Sequence, residues 1–362
     1  MMTDDTVTCP DPLAGWLEQA VRMDASDLHM VAGHAPIVRV HGRLQVLEDC
    51  IVTDDAAIEM LQQSCPADIW AQFQDTKDMD FSLSLPIDGL PRRFRGNYFF
   101  EQGHIGSCFR VIPAQIPDFA WSGFPEELAR RLATMRDGLV LFSGITGSGK
   151  TTTLAMIIQV LNLTGGYRII TVEEPIEYLF DKASTTLITQ REVGRDVGSF
   201  ADGLKYGLRQ DPDVILVGEI RDRETAHMAL SAAETGHLVF STLHTRDAKG
   251  AISRFTDLFP HDVQADIRGQ LSMSLRAVIS QHLLDSVVPD SKRELALEVM
   301  FNNLPIAAAI RTGRIETIDT NILTGRAAGM VPLHESLKNL LLRGLISKEE
   351  ALRYISDPEM LK

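Results

Sequence analysis

The sequence predicts an α/β protein of two domains. A small α/β domain is expected over residues 1–112, a linker over 113–124, and a larger domain over 125–362 with a mostly parallel sheet and a helical C-terminal region. Three observations carry this expectation. Apolar, strand-like runs at 139–142, 168–172, 214–217 and 238–243 have helical patterns between several of them, the alternation that builds parallel sheets. Gly144-Ile145-Thr146-Gly147-Ser148-Gly149-Lys150-Thr151 fits G-x-x-x-x-G-K-[ST] between an apolar run and a helical pattern. Pro113, Pro117 and Pro125 punctuate the stretch before it, as in a stiffened linker.

Composition bounds the function. The 362 residues suit two domains, and 44% hydrophobic with 23% charged residues describe an ordinary globular chain with a sizeable core. A net charge of −14 argues against non-specific nucleic-acid binding, which rests on Lys and Arg neutralising phosphates, although it leaves a local basic channel open. Cys9, Cys50, Cys65 and Cys108 are scattered without a C-x-x-C, so neither disulfides nor a zinc site is expected and a reducing compartment fits. The stretch from Met1 to Pro12 is acidic and polar, unlike a signal peptide. No apolar run approaches the roughly 20 residues that span a bilayer. The expected location is cytoplasmic, with no direct membrane insertion and any membrane association passing through partners.

The elements follow in order. Leu13, Leu17, Ala20 and Val21 have helical spacing over 13–23. Ile37–Val40 and Leu44–Leu47 flank His41-Gly42-Arg43 as a hairpin. Thr53 or Asp54 caps a helix through Gln63. Asp80–Leu85 alternates as a strand, and Arg92–Phe100 and Gly106–Ile112 are two more, joined at Gln102-Gly103. Glu126–Met135 is a short helix, and Thr152–Leu161 a helix after the glycine-rich loop. Beyond about Leu258 the chain reads as helices, ending with Glu335–Leu342 and a last helix from Ser347.

The candidate chemistry gathers where ligands sit in parallel sheets, beyond the carboxyl ends of the strands. Gly144, Gly147 and Gly149 let the loop turn tightly and aim N–H groups at phosphate oxygens, with Thr146 and Ser148 between them. Lys150 suits the β- and γ-phosphates and the Thr151 hydroxyl suits Mg²⁺, while Thr152 continues into a helix whose N-terminus favours anions. Glu219 ends another run, as a Mg²⁺-holding carboxylate should, the other reading being a solvated loop acid. Glu173 and Glu174 end a third; a carboxylate there could orient or deprotonate an attacking water, or be a helix-cap or surface acid. His237 and His244 flank the fourth, where a neutral imidazole could donate to a γ-phosphate or be a satisfied structural group. Arg92, Arg93, Arg95 and Arg110 lie on two paired strands of the first domain, either as phosphate ligands or as an ordinary charged face.

These residues resemble a family. Ala25-Ser26-Asp27-Leu28-His29, the phosphate loop, Thr171–Glu177 as an Asp box, Gln190–Val193, Asp211–Asp222, and Ala233–Leu238 with Thr242–Thr245 as a His box occur in the order found in the type IV pilus retraction ATPases (PilT and PilU) of the secretion-ATPase superfamily. The resemblance covers nearly the whole chain. It implies a PAS-like N-terminal domain joined to a RecA-like core, assembled as a homo-hexamer that hydrolyses ATP with Mg²⁺ and drives pilin removal at the pilus base. It implies Glu173 as the catalytic carboxylate, Glu219 as the Walker B acid, His237 and His244 as the His box, and Arg95 and Arg110 as arginines reaching nucleotide. The implied partners are an inner-membrane platform protein and a paralogous retraction ATPase, with no nucleic acid. The protein would be peripheral to the inner membrane through those partners.

The chain departs from the family at three places. Glu174 stands where Asp is usual, Ile145 replaces a common Pro, and Ala309-Ile310-Arg311 begins a retraction-associated motif that diverges at Thr312-Gly313-Arg314. Residues 309–311 are nevertheless expected to contribute to docking or force output. The family's larger assembly and type II relatives carry tetracysteine zinc ligands, which this chain lacks. Two alternatives are a non-hydrolysing ring paralogue, opposed by intact Lys150, Glu173 and Glu219, and a secretion or DNA-translocating ATPase, opposed for DNA by the net acidity.

Overall fold

The computed structural model describes residues 9–361 except 41, 114, 184, 290, 356 and 357. The expectations for Met1–Thr8 and for His41 in the first hairpin lie outside the described residues. The chain forms two compact units: one runs to Gln115 and includes Glu177–Leu179, and the other holds Ile116–Ile176 and everything from Phe180 onward.

The first unit packs helices on one antiparallel sheet. Its elements are α1 (Leu13–Arg22), β1 (Ala25–Val31), β2 (Ile37–Val40), β3 (Arg43–Val46), α2 (Asp54–Gln63), α3 (Ala67–Thr76), β4 (Asp78–Ile87), β5 (Leu90–Glu101) and β6 (His104–Ile112), with sheet order β3-β2-β1-β6-β5-β4. Apolar residues three and four apart turn one face of α1 inward, burying Leu13, Trp16, Leu17 and Ala20. The Thr53 hydroxyl accepts the Ala56 amide at 3.3 Å and caps α2. The core gathers Leu28, Phe73, Phe94, Tyr98 and Phe109. The Tyr98 hydroxyl is satisfied there by the Leu61 carbonyl at 3.1 Å and Ser64 Oγ at 2.7 Å. The opposite face of β1, β6 and β5 carries the polar residues.

The second unit is wound on a seven-stranded sheet. Two short helices, α4 (Phe119–Ser122) and α5 (Glu126–Ala133), lead to β7 (Gly138–Ser143) and α6 (Lys150–Thr164). Then come β8 (Arg168–Glu173), β9 (Leu187–Glu192), α7 (Phe200–Gly207), β10 (Val214–Val217), α8 (Arg223–Glu234), β11 (Leu238–Leu243), α9 (Ala248–Asp257) and α10 (Gln264–Ser274). The chain ends with β12 (Leu275–Leu284), β13 (Glu294–Phe301), α11 (Leu304–Thr312), α12 (Ile318–Thr324), α13 (Leu333–Leu342) and α14 (Lys348–Leu352). Sheet order is β13-β12-β7-β11-β10-β8-β9, with β13 antiparallel to β12 and every other pair parallel. Residues of β7, β10 and β11 are buried throughout, since helices cover both faces.

Two parts of this sheet differ from the sequence-based expectation. The region past Leu258 is not all helix, because β12 and β13 extend the sheet beside β7. Both are buried on both faces, so they lack the alternation that marks a half-exposed strand, and an apolar run of that kind reads equally as helix. The edge strand β9 is a further addition; Thr189, Gln190 and Arg191 make it too polar to stand out. In α11, Ala309 and Ile310 are buried in the main core while Arg311 is exposed, so of the 309–311 segment only Arg311 is presented to a partner.

Candidate ATPase site

The phosphate loop leaves the carboxyl end of β7. Gly144 has φ 149°, and a Cβ there would lie 2.4 Å from Ser148 Oγ and 2.6 Å from the Gln281 carbonyl, so no side chain fits. Gly147 and Gly149 sit at φ 77° and 86°, the left-handed region that glycine occupies without strain. Lys150 is buried, and its Nζ donates to the carbonyls of Gly144 at 2.8 Å and Ile145 at 3.0 Å. The buried Ser148 Oγ has no protein hydrogen-bond partner. Thr151 and Thr152 are half-buried on the first turn of α6, whose unpaired amides favour an anion. Arg293, just before β13, donates from Nη2 to the Gly147 carbonyl at 3.2 Å.

Two carboxylates end neighbouring strands in unlike surroundings. Glu173 closes β8 and is buried, its Oε1 accepting from Thr171 Oγ1 at 2.6 Å and Gln190 Nε2 at 3.3 Å. Glu174 is exposed and accepts from Arg221 Nη1 at 2.8 Å. Arg221 also ion-pairs with Glu219, and the second Glu219 oxygen lies 3.0 Å from His244 Nε2. Burial lowers the His244 pKa, and the Lys150 and Arg221 charges lower it further. The imidazole is therefore neutral at pH 7 and donates from Nε2 to the carboxylate. The influence of Lys150 on His244 ties the phosphate loop and the β11 end into one electrostatic site.

The two histidines are parted. His244 follows β11, but His237 precedes it, and the register pairs Leu238 with Gly138 and Leu243 with Ser143. Six strand residues at about 3.3 Å each put His237 roughly 20 Å away, at the opposite edge of the sheet. Its Nδ1 lies 3.2 Å from Thr235 Oγ1 and 3.0 Å from the Ala232 carbonyl, at the closing turn of α8. Within one chain His237 is therefore not among the residues gathered at the phosphate loop, since flanking a strand puts two residues at its two ends.

In the first unit, Arg95 and Arg110 are directly opposite each other across β5 and β6, and Asp27 is opposite Arg110 across β1. Like charges so placed repel. Each is relieved by an acid: Arg110 Nε donates to the buried Asp27 at 2.9 Å, and Arg95 Nη2 to Asp80 at 3.0 Å. The Asp of the Ala25–His29 motif thus anchors Arg110.

Sequence reasoning missed Thr171, Gln190, Arg221 and Arg293. The first three stood inside the quoted motifs, and Arg221 two residues after a strand-end acid was a usable signal. Arg293 lies on the connection between two unrecognised strands and carried none.

Among the described residues no group of three or more His, Cys, Asp or Glu side chains could hold a metal. Mg²⁺ keeps several waters and takes oxygen ligands from phosphates and one or two side chains; the Thr151 hydroxyl and the Glu219 carboxylate are oxygens of that kind.

A buried lysine in a glycine-rich loop at a helix N-terminus, with acids at neighbouring strand ends, defines a P-loop ATPase with a RecA-like core. A family model described as type II/IV secretion system protein matches residues 116–343. The type IV pilus retraction ATPase PilT of Pseudomonas aeruginosa is 39% identical over 94% of this chain and 97% of its own length. PilU of the same organism is 34% identical over 96% of this chain and 89% of its own. A crystal structure of the retraction motor PilT with bound ADP superposes with a TM-score of 0.85 at 38% identity, covering 96% of this chain and 98% of that one. The chain belongs to the type II/IV secretion system family and, within it, to the PilT and PilU group of ATPases.

Proposed function

We propose that this chain is the ATP-hydrolysing motor of type IV pilus retraction, working as a homo-hexameric ring that removes pilin at the pilus base. Its partners would be an inner-membrane platform protein and a paralogous retraction ATPase, placing it peripherally at the inner membrane. Among the described residues no helix is long and apolar enough to cross a membrane. The observation that carries the reading is the gathering of Lys150, Glu173, Glu219 and His244 at the carboxyl ends of adjacent strands.

In this reading the loop amides from Gly144 to Thr152 and the Lys150 ammonium bind the ATP phosphates. Mg²⁺, held through Thr151 and Glu219, would neutralise developing phosphate charge. Glu173 accepts the proton of the attacking water, and Thr171 and Gln190 fix the carboxylate for that task. Neutral His244 donates a hydrogen bond and reports on the phosphate side through Glu219. Arg221 holds Glu174 aside, which leaves Glu173 as the base. Arg95 and Arg110 act on nucleotide in the assembled ring.

The test is ATP turnover by purified, folded Lys150→Ala. Hydrolysis is expected to vanish because the phosphates lose their main positive partner, and wild-type turnover would overturn the reading.

A further inference from the structure

A second polar group lies behind the His244 loop. Glu298 on β13 is opposite Ser280 on β12, and Ser280 is opposite Ser143, the residue before the phosphate loop. The two serine hydroxyls bond at 2.7 Å, so a buried polar row runs from Glu298 to the loop strand. Glu298 Oε1 accepts the Ala248 amide at 2.7 Å. His282, two residues beyond Ser280, is buried, hydrogen-bonds the backbone of Arg246, and keeps an Nε2 with no partner. Its ring stands edge-on to Tyr354 at 5.4 Å. Arg246 and Ala248 flank Asp247, the cap of α9, in the segment that follows His244 directly.

We propose that Glu298 and His282 are positioning residues for hydrolysis: from β12 and β13 they hold the backbone on both sides of Asp247 and so set His244 against Glu219. This rests on the reading that His244 and Glu219 serve the reaction. Neither strand residue touches substrate; both act through the loop. The charged groups around Glu298 are Asp247 and Lys249 at the start of α9 and Asp319 on α12, and Lys249 pairs with Asp319 at 2.6 Å. The same clamp ties the loop to the C-terminal helices, through Asp319 and through Tyr354.

The experiment measures kcat and KM for ATP in Glu298→Ala, Glu298→Gln, His282→Ala, His244→Ala and the double variant Glu298→Ala/His244→Ala, with melting temperature and ring assembly alongside. Glu298→Ala and His282→Ala should lower kcat about tenfold with KM changed less than about twofold. Glu298→Gln should recover at least about half of kcat, since its amide oxygen still accepts from Ala248. Because a protonated Glu298 also keeps an oxygen for the Ala248 amide, wild-type kcat should fall no more than about twofold as pH drops through about 7, to the level of Glu298→Gln, which should be flat there. The double variant should be no slower than His244→Ala. Wild-type kcat in a folded Glu298→Ala beside a slow His244→Ala overturns the clamp alone, as do equal losses in the Ala and Gln variants or losses that multiply in the double variant. Full turnover by His244→Ala overturns the site reading and the clamp with it. If Glu298→Ala does not fold, His282→Ala and the Glu298→Gln pH profile decide by the same criteria.

Discussion

Glu173 and Glu174 are adjacent, yet their surroundings differ. Glu173 is buried against a hydroxyl and an amide, whereas Glu174 is exposed and held by a guanidinium. Glu173→Gln keeps shape and hydrogen bonding but loses the proton acceptor, so it should bind Mg-ATP almost normally and lose most of kcat. Glu219→Gln should weaken Mg-dependent binding as well, and Glu174→Gln should do neither. Side-by-side binding and kcat measurements check this; a dead Glu174→Gln beside an active Glu173→Gln would move the base by one residue. The buried Glu298 supplies a second residue-level expectation. Burial raises its pKa from 4.5 to about 7, so the folded state holds the proton more tightly than the unfolded chain. That contribution is fully present below pH 4.5 and is lost as pH rises towards 7. The loss is of the order of 3 kcal/mol, at about 1.4 kcal/mol per pKa unit. Glu298→Gln stays neutral, so denaturant unfolding should show it more stable than wild type at pH 8, with the gap closing by pH 4.5. Equal pH dependence of the two proteins would show that the carboxyl is not raised.

Elements differed in how openly the sequence displayed them. The phosphate loop was fully legible because each of its residues answers a local demand. Gly144→Ala tests the tightest of these: with a backbone carbonyl 2.6 Å from the new Cβ, the loop must shift, and both ATP binding and thermal stability should fall. Retained nucleotide affinity would show that the loop can move aside. Strands β7, β8, β10 and β11 were legible because a polar residue follows each apolar run at the sheet edge. In β12 and β13 the residues on both faces are buried, Ser280, Gln281, His282 and Glu298 among them, so no alternation marks a strand, and helices α9 to α11 around them made a helical reading equally consistent. The site was legible to the same extent. Lys150, Glu173, Glu219 and His244 lie at strand ends that sequence could mark, while Glu298 and His282 lie on strands that it could not. His237 stands apart from His244 for a different reason: a motif is contiguous in sequence even when a strand carries its halves to its two ends.

At the scale of the whole molecule, the paired arginines of the first unit and the phosphate loop of the second belong to separate compact bodies. Arg95→Ala and Arg110→Ala should therefore leave the second unit's fold and ring assembly intact while slowing hydrolysis, and turnover with sizing of the assembled protein checks both. Unchanged rates in both variants would remove them from the chemistry. Arg110→Ala should also cost some stability in its own unit, because it leaves Asp27 buried without its guanidinium partner. The strand order has a consequence of another kind, for the life of the chain as it is made. The loop-bearing strand β7 is completed on one side by β11 and on the other by β12, whose Ser280 meets Ser143 at a sequence separation of 137. Contacts so distant in sequence are slow to form. During synthesis one apolar edge of β7 stays open until β12 has left the ribosome, and a nascent or truncated chain ending before Leu275 presents that edge to its neighbours as a site of aggregation.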